Sequence, residues 1–170
     1  MSESATVAER AGKYLTFVLA GEDYGLEILK VREIMGVLDI TTVPHTPHYV
    51  KGVVNIRGKV IPIVDLRLKF DMPEAEYTDE TCIIVVYVGN VEVGIIVDRV
   101  SEVMDIAEGD IEDAPEFGAE VETHTILGMS KAGGKVTILL DISKVLGGSG
   151  FSEIEAAGST INNSLTTTGA

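Results

Sequence analysis

The sequence predicts a mainly β protein made of two small, mostly antiparallel β-barrels that share a hydrophobic interface. Three observations carry this prediction: short β-rich runs alternate with turn residues, a unit of about 70 residues is duplicated, and 45% of the residues are apolar. Strands separated by turns about every 8 to 12 residues are typical of barrels or sandwiches. A lobe of about 70 residues buries only about 60% of its unfolded surface, so two packed lobes are expected to be more stable than one.

The duplication is visible in two alignments of the chain with itself. Residues 18–35 match residues 87–104 at a constant offset of 69, through the pairs Gly25 and Gly94, Val31 and Val100, Glu33 and Glu102, and Met35 and Met104. Residues 52–66 match residues 128–142 at an offset of 76, through the pairs Gly52 and Gly128, Gly58 and Gly134, Lys59 and Lys135, and Asp65 and Asp141. Both halves therefore carry the same elements in the same order.

Each unit begins with a hairpin pattern. In the first, residues 13–20 and 24–28 are β-rich on either side of the turn residues 21–23, and in the second, residues 83–88 and 91–97 flank Gly89-Asn90. The segment that follows, residues 29–35 or 98–104, has apolar spacing that fits either a helical turn or a strand. The sequence leaves that choice open.

Each unit ends with a second hairpin and a short helix. In the first unit, residues 50–55 lead through Ile56-Arg57-Gly58 to residues 59–64, and Gly58 suits the left-handed position of such a turn. Asp65 and Asp141 are predicted to cap short helices, over residues 66–70 and 142–146, by accepting free backbone N–H groups. Pro62 cannot donate to a β-ladder, which predicts an edge strand that is covered or used.

The domain organisation predicted from these patterns has three parts. Residues 1–12 form a flexible N-terminus, residues 13–147 form one folded domain with approximate lobes 13–78 and 79–147, and residues 148–170 form a polar tail that is mostly disordered. The N-terminus lacks the basic and apolar regions of a secretory signal, and no apolar run reaches the length of a membrane span. The protein is therefore expected in the cytoplasm, without insertion into a membrane.

Composition argues against several functions. The net charge of −14 repels nucleic-acid backbones, and no Lys/Arg cluster offsets it. His45 and His48 flank Thr46-Pro47, which disfavours a shared helical face for zinc, and the acidic residues at 105–113 lack the order of a calcium loop. Because no nucleophile motif or phosphate loop is present either, we expect no catalytic residues, no metal and no cofactor.

The conspicuous surface feature is the loop Asn55-Ile56-Arg57-Gly58. It places a permanently charged guanidinium at a hairpin tip in a strongly acidic chain, which suits recognition of a carboxylate on a partner. A solvated turn residue that only keeps the hairpin soluble is the alternative. The residues alone leave both open.

Residues 52–58 and 62–67, Gly-Val-Val-Asn-Ile-Arg-Gly and Pro-Ile-Val-Asp-Leu-Arg, closely resemble the central signature of CheW chemotaxis adaptors. Residues 24–28, 31–34 and 93–98 also look like that family, and the resemblance spans residues 13 to 147. It implies two SH3-like five-stranded barrels around a shared core. The implied function is that of a non-enzymatic adaptor that couples chemoreceptors to the histidine kinase CheA.

The resemblance also implies which residues bind partners. Arg57 and Glu33 match positions of receptor coupling, Val31 and Gly52 match neighbours that affect it, Asn55 and Gly58 complete the signature loop, and Val100 is the repeat partner of Val31. One lobe is expected to join the regulatory domain of CheA, and a groove between the lobes to receive the cytoplasmic receptor tip, at arrays on the inner face of the membrane. Residues 131–134 lack the Asn and Arg of the first loop, so no duplicate receptor site is expected there.

Overall fold

The computed structural model describes residues 10–115 and 123–147. The predicted tail at 148–170 and the first nine residues lie outside the described part of the chain. Residues 10–12 are held in place, since Arg10 is buried and its Nη1 donates to Asp113 Oδ1 and to Leu127 O, both at 2.8 Å. The folded part of the chain therefore begins before residue 13.

Eleven strands and two short α-helices lie within the described residues. The strands are β1 (Gly12–Leu19), β2 (Glu22–Glu27), β3 (Val31–Gly36), β4 (Val50–Ile56), β5 (Lys59–Asp65), β6 (Cys82–Val88), β7 (Val91–Val97), β8 (Arg99–Ile106), β9 (Ile111–Glu112), β10 (Ile126–Ser130) and β11 (Thr137–Leu140). The helices are α1 (Leu66–Lys69) and α2 (Ile142–Leu146).

The segments that the sequence left open are strands. A 3-10 turn over Ile28–Lys30 leads into β3, whereas β8 follows β7 almost directly. Both strands have a neighbour on one side only, β6 for β3 and β1 for β8. The capped helices are confirmed, because the Asp65 side chain accepts from Leu68 N and the Asp141 side chain from Lys144 N.

The strands form two sheets, so the mainly β prediction is confirmed. One sheet, here called sheet A, has the order β8-β1-β2-β11-β10-β9, and the other, sheet B, has the order β3-β6-β7-β5-β4. Sheet A has six strands where five were expected, because the two-residue strand β9 adds to its edge. Each sheet is antiparallel except for one parallel pair, β2 with β11 and β5 with β7.

The two halves of the chain exchange their first hairpins. Hairpin β1-β2 of the first half lies between β8 and β11 of the second, and hairpin β6-β7 of the second half lies between β3 and β5 of the first. Replacing each strand of sheet B by its repeat counterpart gives the order of sheet A, apart from β9. The boundary between residues 78 and 79 thus separates the sequence repeats but not the sheets.

The pairing register follows the same repeat. Val86 of β6 lies opposite Val31, and its counterpart Phe17 lies opposite Val100. In the parallel pairs, Gly94 lies opposite Ile63 and Gly25 opposite Leu139. Since these pairs keep the offsets of 69 and 76 found in the sequence, the duplication is a structural one.

The largest hydrophobic core lies between the sheets. Its buried residues come from both sheets and both helices, and include Phe17, Leu26, Leu66, Ile84 and Leu146. A smaller core lies within each sheet: seven buried residues around Ile61 and Val85 in sheet B, and four around Leu139 in sheet A. The predicted shared hydrophobic interface is therefore confirmed.

The edge-strand prediction for Pro62 is wrong. Strand β5, which carries Pro62, lies between β4 and β7. Opposite Pro62 is Val53, whose N–H and C=O both bond to Thr41, at 2.8 Å each, and so point away from β5. Because pairing with β7 begins only at Ile63, proline at position 62 leaves the ladder on either side intact.

Candidate functional site

The hairpin tip between β4 and β5 is a two-residue turn. Arg57 and Gly58 both have positive φ, 51° and 85°, as a type I′ turn requires. The Asn55 side chain closes the turn by accepting from Gly58 N at 2.8 Å. The predicted left-handed conformation of Gly58 is confirmed, and Arg57 is set at the tip with its side chain 63% exposed.

Arg57 reaches across sheet B to Glu33. Its Nη2 donates to Glu33 Oε1, although β3 and β4 lie at opposite ends of the strand order. Glu33 is the more enclosed partner, with its side chain 24% exposed. One edge of the guanidinium thus contacts Glu33 within the protein, an ion pair that neither sequence interpretation included, while most of the side chain faces solvent.

Three further charged residues, which the sequence analysis missed, extend this ion pair. Arg32 contacts both Glu33 and Glu92, and Lys59 Nζ lies 2.9 Å from Glu92 Oε1. The Glu92 carboxylate raises the pKa of Arg32 above its ordinary value. The sequence shows only that Lys59 and Glu92 each follow a hairpin turn. It does not show that the two turns are neighbours, because the order of the strands in sheet B places them together.

Gly52 is buried and acts through the backbone. An added Cβ would lie 2.1 Å from Thr41 O, and φ is 143°. Here Thr41 forms an isolated bridge with Val53, in the place that β9 takes beside β10 in sheet A. The absence of a side chain at Gly52 therefore allows the backbone at Thr41 to pack directly against β4. Gly52 itself has no side chain with which to contact a partner.

Val31 and Val100 occupy equivalent positions on different sheets. Both are partly buried and pack against the core between the sheets. Of the seven residues singled out in the sequence, the structure brings Glu33, Asn55, Arg57 and Gly58 together at one hairpin tip. Val100 lies on β8 in sheet A, apart from that tip.

The described residues offer little for other chemistry. Within residues 10–115 and 123–147 no three His, Cys, Asp or Glu side chains are grouped so that they could hold a metal ion. Nor does that part of the chain contain a helix long and apolar enough to cross a membrane.

Two packed sheets that present a charged turn to solvent define the class of protein as a mainly β domain without a catalytic or metal centre among the described residues. Comparison with known proteins is more specific. Residues 13–149 match the CheW-like domain, and the chain belongs to this family.

Its relatives are chemotaxis proteins. The chain is 41% identical over 151 residues to the chemotaxis protein CheW of Klebsiella aerogenes, covering 86% of this chain and 91% of that protein. It is 36% identical over 135 residues to CheW of Bacillus subtilis strain 168, covering 79% and 86%. The crystal structure of the scaffolding protein TtCheW from Thermoanaerobacter tengcongensis superimposes with a TM-score of 0.74 at 34% identity, over 82% of this chain and 95% of that one. The chain is thus a scaffold of chemotaxis signalling.

Proposed function

We propose that this scaffold couples chemoreceptors to the chemotaxis histidine kinase CheA, and that the Arg57 hairpin tip makes the receptor contact. The protein works in the cytoplasm, at receptor arrays on the inner face of the membrane. One part of it binds the regulatory domain of CheA while the receptor's cytoplasmic tip binds near Arg57. It carries out no catalytic step of its own.

The observation that carries the proposal is the exposure of Arg57 on a fixed turn. Asn55 and Gly58 determine the turn, and Glu33 holds one edge of the guanidinium, so its remaining N–H donors face solvent in a defined direction. A guanidinium held in this way loses little conformational freedom when it binds a carboxylate. A receptor segment with an acidic side chain is the partner that this arrangement favours.

Val31 and Gly52 contribute indirectly in this proposal. Val31 anchors β3, the strand that carries Glu33, on the core between the sheets. Gly52 keeps Thr41 against β4, the strand that leads to the tip. Substitutions at these positions would displace the Arg57–Glu33 pair rather than remove a contact with the receptor.

The test is the autophosphorylation rate of CheA with receptor-containing membranes, with and without this chain. We expect a large, receptor-dependent rise with the parent chain and a much smaller one with Arg57→Glu. The matched control is Lys13→Glu, because Lys13 is also an exposed cation in a surface ion pair, at 62% exposure, but lies on β1 in sheet A. This control should keep the parent activity.

Two results would contradict the proposal. If the chain left the kinase rate unchanged with folded components, the coupling function would be wrong. If Lys13→Glu and Arg57→Glu lost activity equally, net charge and not the hairpin tip would determine coupling. Thermal unfolding of both variants, followed by circular dichroism, shows whether the fold is retained.

A further inference from the structure

Sheet A contains an open groove between its edge strand β8 and the connection from β10 to β11. The groove has a volume of about 460 Å³, and its lining includes Thr16, Asp23, Glu102, Gly133, Lys135 and Thr137. It is distinct from the Arg57 tip, which lies on sheet B. Because the two sheets are structural repeats, each residue that lines the groove has an equivalent residue in sheet B.

In sheet B the counterpart is closed by ion pairs. Glu102 corresponds to Glu33 and Gly133 to Arg57, so the arginine that reaches across sheet B is replaced by a glycine in sheet A. The neighbouring pair is kept, because Lys135 and Asp23, which lie 4.0 Å apart, correspond to Lys59 and Glu92. Sheet A thus retains the glutamate and the flanking pair but lacks the guanidinium between them.

The residues at the floor of the groove are also smaller or more polar than their counterparts in sheet B. Thr16, Ala132 and Thr137 line it, and at their positions in sheet B stand Val85, Ile56 and Ile61. Those three apolar residues belong to the core within sheet B. Ala132 and Thr137 are smaller than the isoleucines at their positions in sheet B, which leaves space in sheet A. Thr16 has about the volume of Val85 and adds a hydroxyl group, which bonds to the backbone of Glu102.

The backbone of Glu102 is fixed, and its exposed carboxylate is unpaired within the described residues. The Thr16 hydroxyl donates to Glu102 O at 2.9 Å and accepts from Glu102 N at 3.2 Å, which fixes the backbone of β8 at this point. Within the described residues, no side chain forms an ion pair with the Glu102 carboxylate, although Glu33 at the equivalent position has two arginine partners. Two cations, Arg99 and Lys135, also line the groove, but they lie beside other carboxylates, 3.9 Å from Glu80 and 4.0 Å from Asp23. The Glu102 carboxylate therefore stands beside an open polar groove without a cation of its own.

From this comparison we infer that the sheet A groove binds an arginine side chain presented on a turn of a partner protein. The occupant takes the place that Arg57 has in sheet B, with its guanidinium on Glu102 and its stem over Thr16 and Thr137. Arginine fits better than lysine because its planar fork offers two parallel donors to the Glu102 carboxylate. The inference does not rest on the receptor-coupling function of Arg57.

The first experiment adds the missing side chain to the chain itself. In Gly133→Arg, an arginine occupies a position whose φ of 76° resembles the 51° of Arg57. We expect its thermal midpoint to exceed that of Gly133→Gln by about 1–2 °C, as for an exposed ion pair, and the difference to vanish when both carry Glu102→Gln. A difference that persists in the Glu102→Gln background, or no difference in either background, would overturn the inference.

The second experiment supplies the arginine from outside. The probe is a cyclised hairpin peptide with Asn-Ile-Arg-Gly-Lys at its turn, titrated at millimolar concentration into the full ¹⁵N-labelled chain. We expect amide shifts at Ser101, Glu102 and Gly133, and binding about tenfold weaker with glutamine in place of the peptide's arginine, or with Glu102→Gln in the protein. Glu33→Gln, the matched change in sheet B, should bind the peptide as the parent does.

The inference fails if the glutamine peptide binds equally well, if Glu102→Gln binds as the parent does, or if no shifts occur at these amides. None of these outcomes bears on kinase coupling through Arg57, which the autophosphorylation assay tests separately. A loss of coupling in Arg57→Glu with unchanged peptide binding would show that the two sites act independently.

Discussion

Arg67 and Asp98 form a two-point ion pair that joins the two halves of the chain. Arg67 Nε lies 2.8 Å from Asp98 Oδ1 and Nη2 lies 2.6 Å from Oδ2, with both side chains largely buried. Ala20 N, in the turn after β1, also donates to Asp98 Oδ2, at 2.9 Å. The Asp98 carboxylate, directly after β7, thus binds both helix α1, which follows β5 of sheet B, and the turn after β1 of sheet A.

This pair makes stability depend on pH. The hydrogen bonds from Arg67 hold the pKa of Asp98 below its ordinary value in the folded state. The stabilisation is therefore present above the unfolded pKa of about 3.9 and is lost as the pH falls through the lower folded pKa. We expect Asp98→Asn to lower the free energy of unfolding by about 1–2 kcal/mol at pH 7 and by less below about pH 3.

Urea unfolding at several pH values measures this effect, with Asp39→Asn as the control because Asp39 is exposed. If Asp98→Asn were equally destabilising at pH 7 and at low pH, the loss would come from packing or neutral hydrogen bonds and not from the charged pair.

Gly52→Ala is expected to destabilise the protein by at least about 2 kcal/mol, because its Cβ would meet the backbone oxygen of Thr41. Gly36→Ala is the matched control, since Gly36 ends β3 and has no atom within 4 Å of an added Cβ. Chemical denaturation of both variants provides the comparison. Equal stability of the two would show that the chain at Thr41 moves aside at little cost.

Gly58→Val should cost about 1–2 kcal/mol, because a β-branched residue is strained at a φ of 85°. Gly58→Asn should cost clearly less, since asparagine tolerates left-handed backbone. Thermal unfolding of the two variants distinguishes conformation from side-chain size. A Gly58→Val protein as stable as the parent would contradict the turn described for this hairpin.

The Arg57–Glu33 pair should contribute little to stability. Arg57 is mostly exposed, so a double-mutant cycle with Arg57→Gln and Glu33→Gln is expected to give a coupling energy below about 1 kcal/mol, and less still in high salt. Urea unfolding of the four proteins at low and high salt measures it. A coupling of several kcal/mol would mean that Arg57 is a structural residue.

The exchanged hairpins predict that neither half folds alone. A fragment of residues 1–78 lacks the strands that its β1-β2 hairpin pairs with, and a fragment of residues 79–170 lacks those of β6-β7. We expect each fragment to unfold without a cooperative transition and their mixture to recover one, as followed by circular dichroism. A cooperative transition in either fragment would contradict this expectation, because it would show that a half of the chain can complete its sheets alone or with a second copy of itself.

Local features of the fold could be predicted from the sequence because local chemistry determines them. The hairpins, the left-handed Gly58, and the caps at Asp65 and Asp141 depend on residues a few positions apart. The duplication was also visible, since matched glycines such as Gly25 and Gly94 lie at the same point of equivalent parallel pairs.

Features that depend on distant strands could not be predicted. Pairing with β6 makes residues 31–36 a strand, which the apolar spacing alone did not determine. Pro62 is tolerated inside sheet B because the backbone N–H and C=O of Val53, opposite it, bond to Thr41 instead. At the candidate site, Arg57 was found from its turn. The charged residues that extend its ion pair with Glu33, namely Arg32, Lys59 and Glu92, were not found, because only the strand order brings them together.

The reciprocal placement of the hairpins bears on how such a chain originates. Two identical copies of one half, each lending its first hairpin to the other, would form a swapped homodimer with two equal sheets. Fusion of those copies gives the present connectivity without rearranging a single strand. In the present chain the two halves differ at this turn, where the first has an arginine and the second a glycine.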